Sequence, residues 1–280
     1  VINGYSVVSL DDMLPIGGQV KKGYNLITNE QIFDMIEKAL VGTSYKIVSC
    51  GTIKNRSKAF VSVKLAENIV AGNRDTGALL NVLWGHGGVA DILAMTGMTV
   101  TVCQNTYRIN KTAKSKFRLK MKHTGNAILK LENIQYEIEN HFGVVAEFKQ
   151  AMDSLSAVSC SPNEAKQAFA GFLVRGNVDK LETVSTRTEN MIDDLQSLFL
   201  RGAGNDGNDR SDLFNAFTDY YSHESAGGKG SRWKQYESSE FGAGADAKEE
   251  AYDLLTGSDV PDLGTFDTVL KRGEKVLQLI

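Results

Sequence analysis

The side chains most able to do chemistry stand in one short run. Between Lys111 and Thr124 the sequence KTAKSKFRLKMKHT places cations at Lys114, Lys116, Arg118, Lys120 and Lys122, every second residue, with Ser115, Phe117, Leu119 and Met121 between them. Period two is the repeat of an extended strand, so the spacing puts all five cations on one face, where a helix would scatter them around its circumference. Side chains on one face of a strand recur about every 6.6 to 6.8 Å, and like charges so placed repel one another. A regularly spaced polyanion offsets that repulsion, and the sugar-phosphate backbone of a single nucleic-acid strand is one; contacts to it are blind to sequence. Lysine on an outer strand also guards against aggregation, but one or two residues suffice for that.

The rest of the charge is arranged around this run. Residues 92–131 hold eight Lys or Arg and no Asp or Glu, which leaves 23 cations against 34 acids in the other 240 residues. The net charge of −3 therefore hides a segregated pattern, pointing to one local polyanion site. Lys111 and the basic tip Lys54, Arg56 and Lys58 could extend the groove, and Tyr107 or Phe117 could offer a stacking surface. If five phosphates are neutralised, affinity for single strands falls with log salt at a slope near −0.7 × 5, roughly −3.5.

Other motifs argue against enzyme chemistry when set in context. Gly202, Gly204 and Gly207 fall in a GxGxxG order, but the run follows a helical pattern, where a dinucleotide fingerprint follows a strand. No phosphate-loop motif occurs, and His86, His123, His141 and His223 have no paired ligand spacing, so neither metal nor cofactor is expected. Asp193 with Asp194, and Asp206 with Asp209 and Asp212, read as solvated acids rather than magnesium ligands. Three cysteines, Cys50, Cys103 and Cys160, make no disulfide framework and read as buried thiols.

The elements that must position the cations follow from pattern. Thr28 and Gln31 form a capping box before a helix at 28–41. Tyr45–Ile53 and Ala59–Leu65 read as a hairpin around KNRSK. Leu79–Trp84 and Met98–Tyr107 read as strands joined through GHGG, with the cationic run as a further strand. A long helix follows from Gly125 to about residue 155, carrying Ile128, Leu131, Ile134, Ile138 and Phe142 on one stripe. Helices are then predicted at 163–173, 187–200, 213–221, 246–255 and 268–279, with glycine-rich loops at 201–212 and 223–245. The fold class is α+β, with antiparallel hairpins packed on a long helix. Domains are expected at 1–155, an α+β nucleic-acid-binding core, and 156–280, a helical lobe. No run approaches the roughly 20 apolar residues of a membrane span, and the start lacks a secretion signal, so a cytoplasmic protein is expected.

VTVCQNTYRI at 100–109 and KHTGNAILKLENI at 122–134 resemble the Val-Val-Cys-x-Asn-Thr and His-Thr core of the phage/plasmid-like uncharacterised family, domain of unknown function 932. YKIVSCGTIKNRSKAFVSVKL, LFNAFTDYYSH and FGAGADAKEEAYDLL agree, extending the likeness over about 45–255. Asp219 stands where that family usually has Glu, and AMTGMTVTV replaces a more usual Arg. The resemblance implies a gene of phage, prophage or plasmid origin acting in a bacterial host cell, and brings no catalytic residues. The order of elements is also similar to that of single-strand annealing proteins, which implies a ring or filament of identical subunits. The function expected is non-enzymatic binding or annealing of single-stranded DNA, or of RNA, in recombination or replication. The alternatives are a phage structural or host-interaction protein whose cations meet an acidic protein, and an undetected nuclease or modifying enzyme.

Overall fold

The computed structural model describes residues 4–42, 44–53, 55–100, 106–108, 118–121, 134–176, 178–225 and 232–280. The fold is mixed α+β, with antiparallel strands in the first half and helices through the C-terminal region. Two compact units divide the chain: residues 1–68, 77–98 and 112–145 form the first, and 69–76, 99–111 and 146–280 the second.

The first unit opens with β1 (Tyr5–Val8) and β2 (Pro15–Val20), an antiparallel pair. Helix α1 (Asn29–Ala39) starts at the capping box read from the sequence. The Thr28 hydroxyl accepts from the Gln31 N–H at 3.2 Å, and the Gln31 side chain accepts from the Thr28 N–H at 2.9 Å. These two bonds satisfy donors that a helix start otherwise leaves orphaned. Its apolar stripe, Ile32, Ile36 and Ala39, is buried, and Phe33 meets Trp84 edge to face at 5.9 Å.

The main sheet has the order β3 (Tyr45–Ile53), β4 (Lys58–Ala71), β5 (Arg74–Gly85), β6 (Ile92–Val100), β7 (Thr106–Arg108), and β8 (Arg118–Met121) also pairs with β6. Both neighbouring faces of β4 are covered at Phe60, Val61, Ser62 and Val63, and β5 is buried at every position but Asp75. That explains their nearly unbroken apolar runs, since a strand covered on both faces has no reason to alternate. β4 and β5 run longer than their apolar cores suggest, because Gly72 and Asn73 form a two-residue turn with φ of 55° and 61°. Both central residues left-handed is the hairpin geometry that matches strand twist. β6 likewise begins six residues before Met98.

Helix α2 (Ile134–Ser156) ends where the pattern predicts. The remaining helices are α3 (Pro162–Leu173), α4 (Thr186–Arg201), α5 (Arg210–Asp219), α6 (Arg232–Phe241), α7 (Ala243–Leu255) and α8 (Phe266–Leu277). Ser161, Ser185, Asp209 and Thr265 cap α3, α4, α5 and α8, each accepting the N–H three residues on. α3 and α8 cross with backbones almost touching: a Cβ on Gly171 would lie 2.0 Å from the Val269 carbonyl oxygen, and one on Gly273 would lie 1.8 Å from that of Gln167. Around them Phe169, Phe172 and Phe217 form an aromatic core with centroids 4.6 and 5.1 Å apart.

Two expectations are corrected. Residues 232–241 are helical, not loop; α6 turns Ser239 and Glu240 inward, 3% and 4% exposed, so it has no apolar period to read. Cys160 is buried, but Cys50 is exposed because β3 is the outermost strand; Cys103 lies outside the described residues.

Candidate nucleic-acid interface

The cationic run is described over Arg118–Met121. It is extended there and pairs antiparallel with β6, Arg118 opposite Met95, Leu119 opposite Ala94, Lys120 opposite Leu93 and Met121 opposite Ile92. Lys54, Lys111, Lys114, Lys116 and Lys122 lie outside the described residues, as does Phe117. Tyr107 falls on β7.

At the basic tip between β3 and β4, Arg56 and Lys58 are engaged within the protein. Arg56 reaches the Asp12 carboxylate at 2.8 Å and the Ser9 hydroxyl at 3.4 Å, in a half-exposed pair. The hydrogen bond from Arg56, with a second from the Leu14 N–H, holds the Asp12 carboxyl below the usual carboxylate range. Lys58 is only 8% exposed and makes its own contacts. Of the described tip cations, Arg56 therefore already has an internal counter-ion and Lys58 is enclosed.

Two polar centres in the second unit were not visible as such in the sequence. The first gathers on Arg74 at the β4–β5 tip. Its Nη1 donates to the Gly72 carbonyl at 3.0 Å and the Ser211 hydroxyl at 2.6 Å, and its Nη2 to Asn205 Oδ1 at 2.9 Å and to the Asp212 carboxylate. Ser211 passes a bond to Asp209 at 2.8 Å, and Asn215 donates to Asn205 Oδ1 at 2.7 Å. Arg74 and Asp212 are 7% and 2% exposed. The loop at 201–212 is thus an ordered cage for a guanidinium, and two of its three acids are not simply solvated: Asp209 caps α5 and Asp212 is the counter-ion, while Asp206 is exposed. The glycine run at 202–207 lies between α4 and α5, with Gly204 and Gly207 left-handed, as a helix-to-helix turn needs.

The second centre gathers on Lys248 of α7, 1% exposed. Its ammonium donates to Ser239 at 2.9 Å and Ser222 at 3.2 Å, and lies 3.7 Å from Glu240, which accepts from Ser239 at 2.9 Å. Ser222 is presented by a π-helical turn, Tyr220–Glu224, that continues α5. Beside it, burial raises the Asp219 carboxyl above its ordinary range, with His223 pulling the other way. Burial likewise pushes the Cys160 thiol up to about 12, so it is not a nucleophile at neutral pH. A lysine so enclosed ties α5, α6 and α7 together through Ser222, Ser239 and Glu240. Sequence signals existed for both centres, a lone Arg in a strand turn and a Lys inside an alanine-rich helix, but a single side chain has no periodicity.

Among the described residues no group of three or more His, Cys, Asp or Glu could hold a metal ion, and no helix is long and apolar enough to cross a membrane. No curated protein and no solved structure matches the chain. The family comparison is positive: the model for a domain of unknown function, DUF932, matches residues 17–250, and the chain belongs to that family.

Proposed function

We propose that the chain binds single-stranded nucleic acid along the cationic run, as a non-enzymatic protein of phage or plasmid origin acting in annealing, recombination or replication, and that it works as an oligomer. The observation that carries the reading is the acid-free, eight-cation stretch at 92–131 with its period-two comb. The extended backbone at Arg118–Met121 is in keeping with it, because a strand keeps alternate residues in register with a linear polyanion. Lys114, Lys116, Arg118, Lys120 and Lys122 carry the contact, with Lys111 beside them. Lys54, Arg56 and Lys58 contribute less, since Arg56 must first give up Asp12.

The test is titration of a fluorescent oligonucleotide at two salt concentrations. Binding should weaken with a log-log slope of roughly −3.5. Reversing Lys116, Arg118 and Lys120 to Glu should abolish it while leaving the circular dichroism unchanged. Binding that is absent at low salt would sink the reading and leave an acidic protein surface as the partner. Magnesium-dependent cleavage would make the protein a nuclease.

A further inference from the structure

We infer that β3 is a self-association edge, through which two copies of this chain join by antiparallel pairing of their β3 strands. The inference deepens the oligomeric part of the reading above, but it stands on the geometry of this strand and not on any nucleic acid.

β3 ends the strand order of the main sheet, and among the described residues its outer edge meets no other strand. Eight of its nine residues are exposed or half-exposed, and every one from Tyr45 to Val48 is exposed, whereas the β4 residues they pair with are largely buried. Tyr45 lies opposite Leu65 and Ile47 opposite Val63, both of them wholly buried, so an apolar layer continues past β4 and stops in the open at β3. Tyr45, Ile47 and Val48 remain 41%, 46% and 49% exposed. The register shifts between Ile47 and Ser49, leaving Val48 as an extra residue. Unpaired amides and carbonyls beside exposed apolar side chains are a template for another strand, and natural edges usually blunt them with charge or proline.

The occupant is set by charge and by self-complementarity. From Ile47 to Ile53 the strand has no charged residue and no proline, and Lys46 is its single charge. In the full-length antiparallel register Ser49 faces its own equivalent, Lys46 faces Thr52 of the partner subunit, and Tyr45 faces Ile53 of the partner subunit. No like charges meet, and each edge supplies the ladder its equivalent lacks. A two-fold pairing of this kind closes on itself and stops at a dimer.

Cys50 supplies a readout within the native chain, being exposed near the middle of β3. Light scattering after size exclusion, without nucleic acid, should show the mass rising with concentration from 30.6 kDa toward twice that value. Alkylation of Cys50, followed by peptide mass mapping, should slow several-fold over the same range. Ile47→Lys with Val48→Lys should hold the protein monomeric and keep Cys50 reactive at all concentrations, with circular dichroism unchanged. Thr52→Lys, a milder change on an exposed side chain, should weaken the dimer in the same direction and covers the case in which the double variant misfolds. A monomer at every concentration overturns the inference. So does an oligomer that neither variant disturbs, or protection of Cys50 seen only when a different protein is added. Loss of oligonucleotide binding with the dimer intact would count against the nucleic-acid reading alone.

Discussion

Two of the β-hairpin tips, β3–β4 and β4–β5, each carry an arginine matched to an aspartate, and the pairs are worth very different amounts. At the β3–β4 tip, Arg56 meets Asp12 with both side chains nearly 40% exposed. At the β4–β5 tip, Arg74 meets Asp212 with both almost wholly enclosed. Water competes for the first pair and screens it, so it contributes little. The second has four of its five guanidinium donors taken up by named protein acceptors, and removing either charge strands the other in a medium that cannot solvate it. The same ion pair is decoration at one tip and a structural commitment at the other, and surroundings make the difference.

Replacing Arg74 by Ala should therefore give the largest effect of any change at the tips, a loss of about 3–5 kcal/mol read by chemical denaturation. The matching change at Arg56 should leave the unfolding midpoint almost where it was. The comparison sharpens with the double replacement Arg74→Met with Asp212→Leu, which removes both charges and should recover most of the loss. If the double variant is as unstable as Arg74→Ala, the cage matters for its hydrogen bonds to Ser211 and Asn205 and not for its charge.

The difference between the tips also marks how far the sequence could be read. The first tip was legible because KNRSK is polar, lies between two apolar alternating runs and bears a turn signature. The second was not, because AENIVAGNRDTG looks like the interior of neither a strand nor a loop, and Gly72 with Asn73 passes as a weak break. Its partner loop at 201–212 was legible as a turn, but no rule of local spacing connects residue 74 with residue 212. The helix start at Thr28 was readable because a cap is a local hydrogen bond. α6 was missed because its inward face is made of Ser239 and Glu240, whose burial depends on Lys248 nine residues farther on from Ser239. What depends on near neighbours was in the pattern, and what depends on a distant counter-ion was not. The comb's alternation was legible in the same local way, and its described part is strand.

Turn backbone gives the next two tests. Gly72 has φ of 55°, and a Cβ there would sit 3.1 Å from the Met152 carbonyl oxygen, so Gly72→Ala meets left-handed strain and crowding together. A loss of about 1–2 kcal/mol is expected from the backbone alone. At the other tip Arg56 itself is left-handed, with φ of 67°. Arg56→Gly should relieve that strain at the expense of an exposed ion pair, and so stabilise the protein by somewhat under about 1 kcal/mol. Opposite signs at the two tips, measured by thermal unfolding, would confirm that backbone and not charge governs the exposed one. A clear loss for Arg56→Gly would mean that the Asp12 contact is worth more than its exposure suggests.

The smallest effect is one of pH, and it separates the tips by the groups that report on them. Asp12 is held below the usual carboxylate range by Arg56 and then by the Leu14 N–H. Asp153 is held low by Lys149 and then by the Gly72 N–H, which it accepts at 3.0 Å beneath the second tip. For a carboxyl with a depressed folded value, the stabilisation is complete above its ordinary value of 3.8 and disappears as pH falls through the folded value. Acidification should therefore loosen both tips only below the ordinary carboxylate range, the first at the Leu14 amide and the second at the Gly72 amide. Carbon chemical shifts of the two carboxyls, followed with amide exchange at those positions, would show it. Asp153→Asn keeps an oxygen for the Gly72 N–H but removes the charge that Lys149 favours, so it should flatten the response at Gly72 and leave Leu14 unaltered. A titration of Asp153 at or above 3.8 would mean that the second tip is held by the Arg74 cage alone, with no help from the helix beneath it.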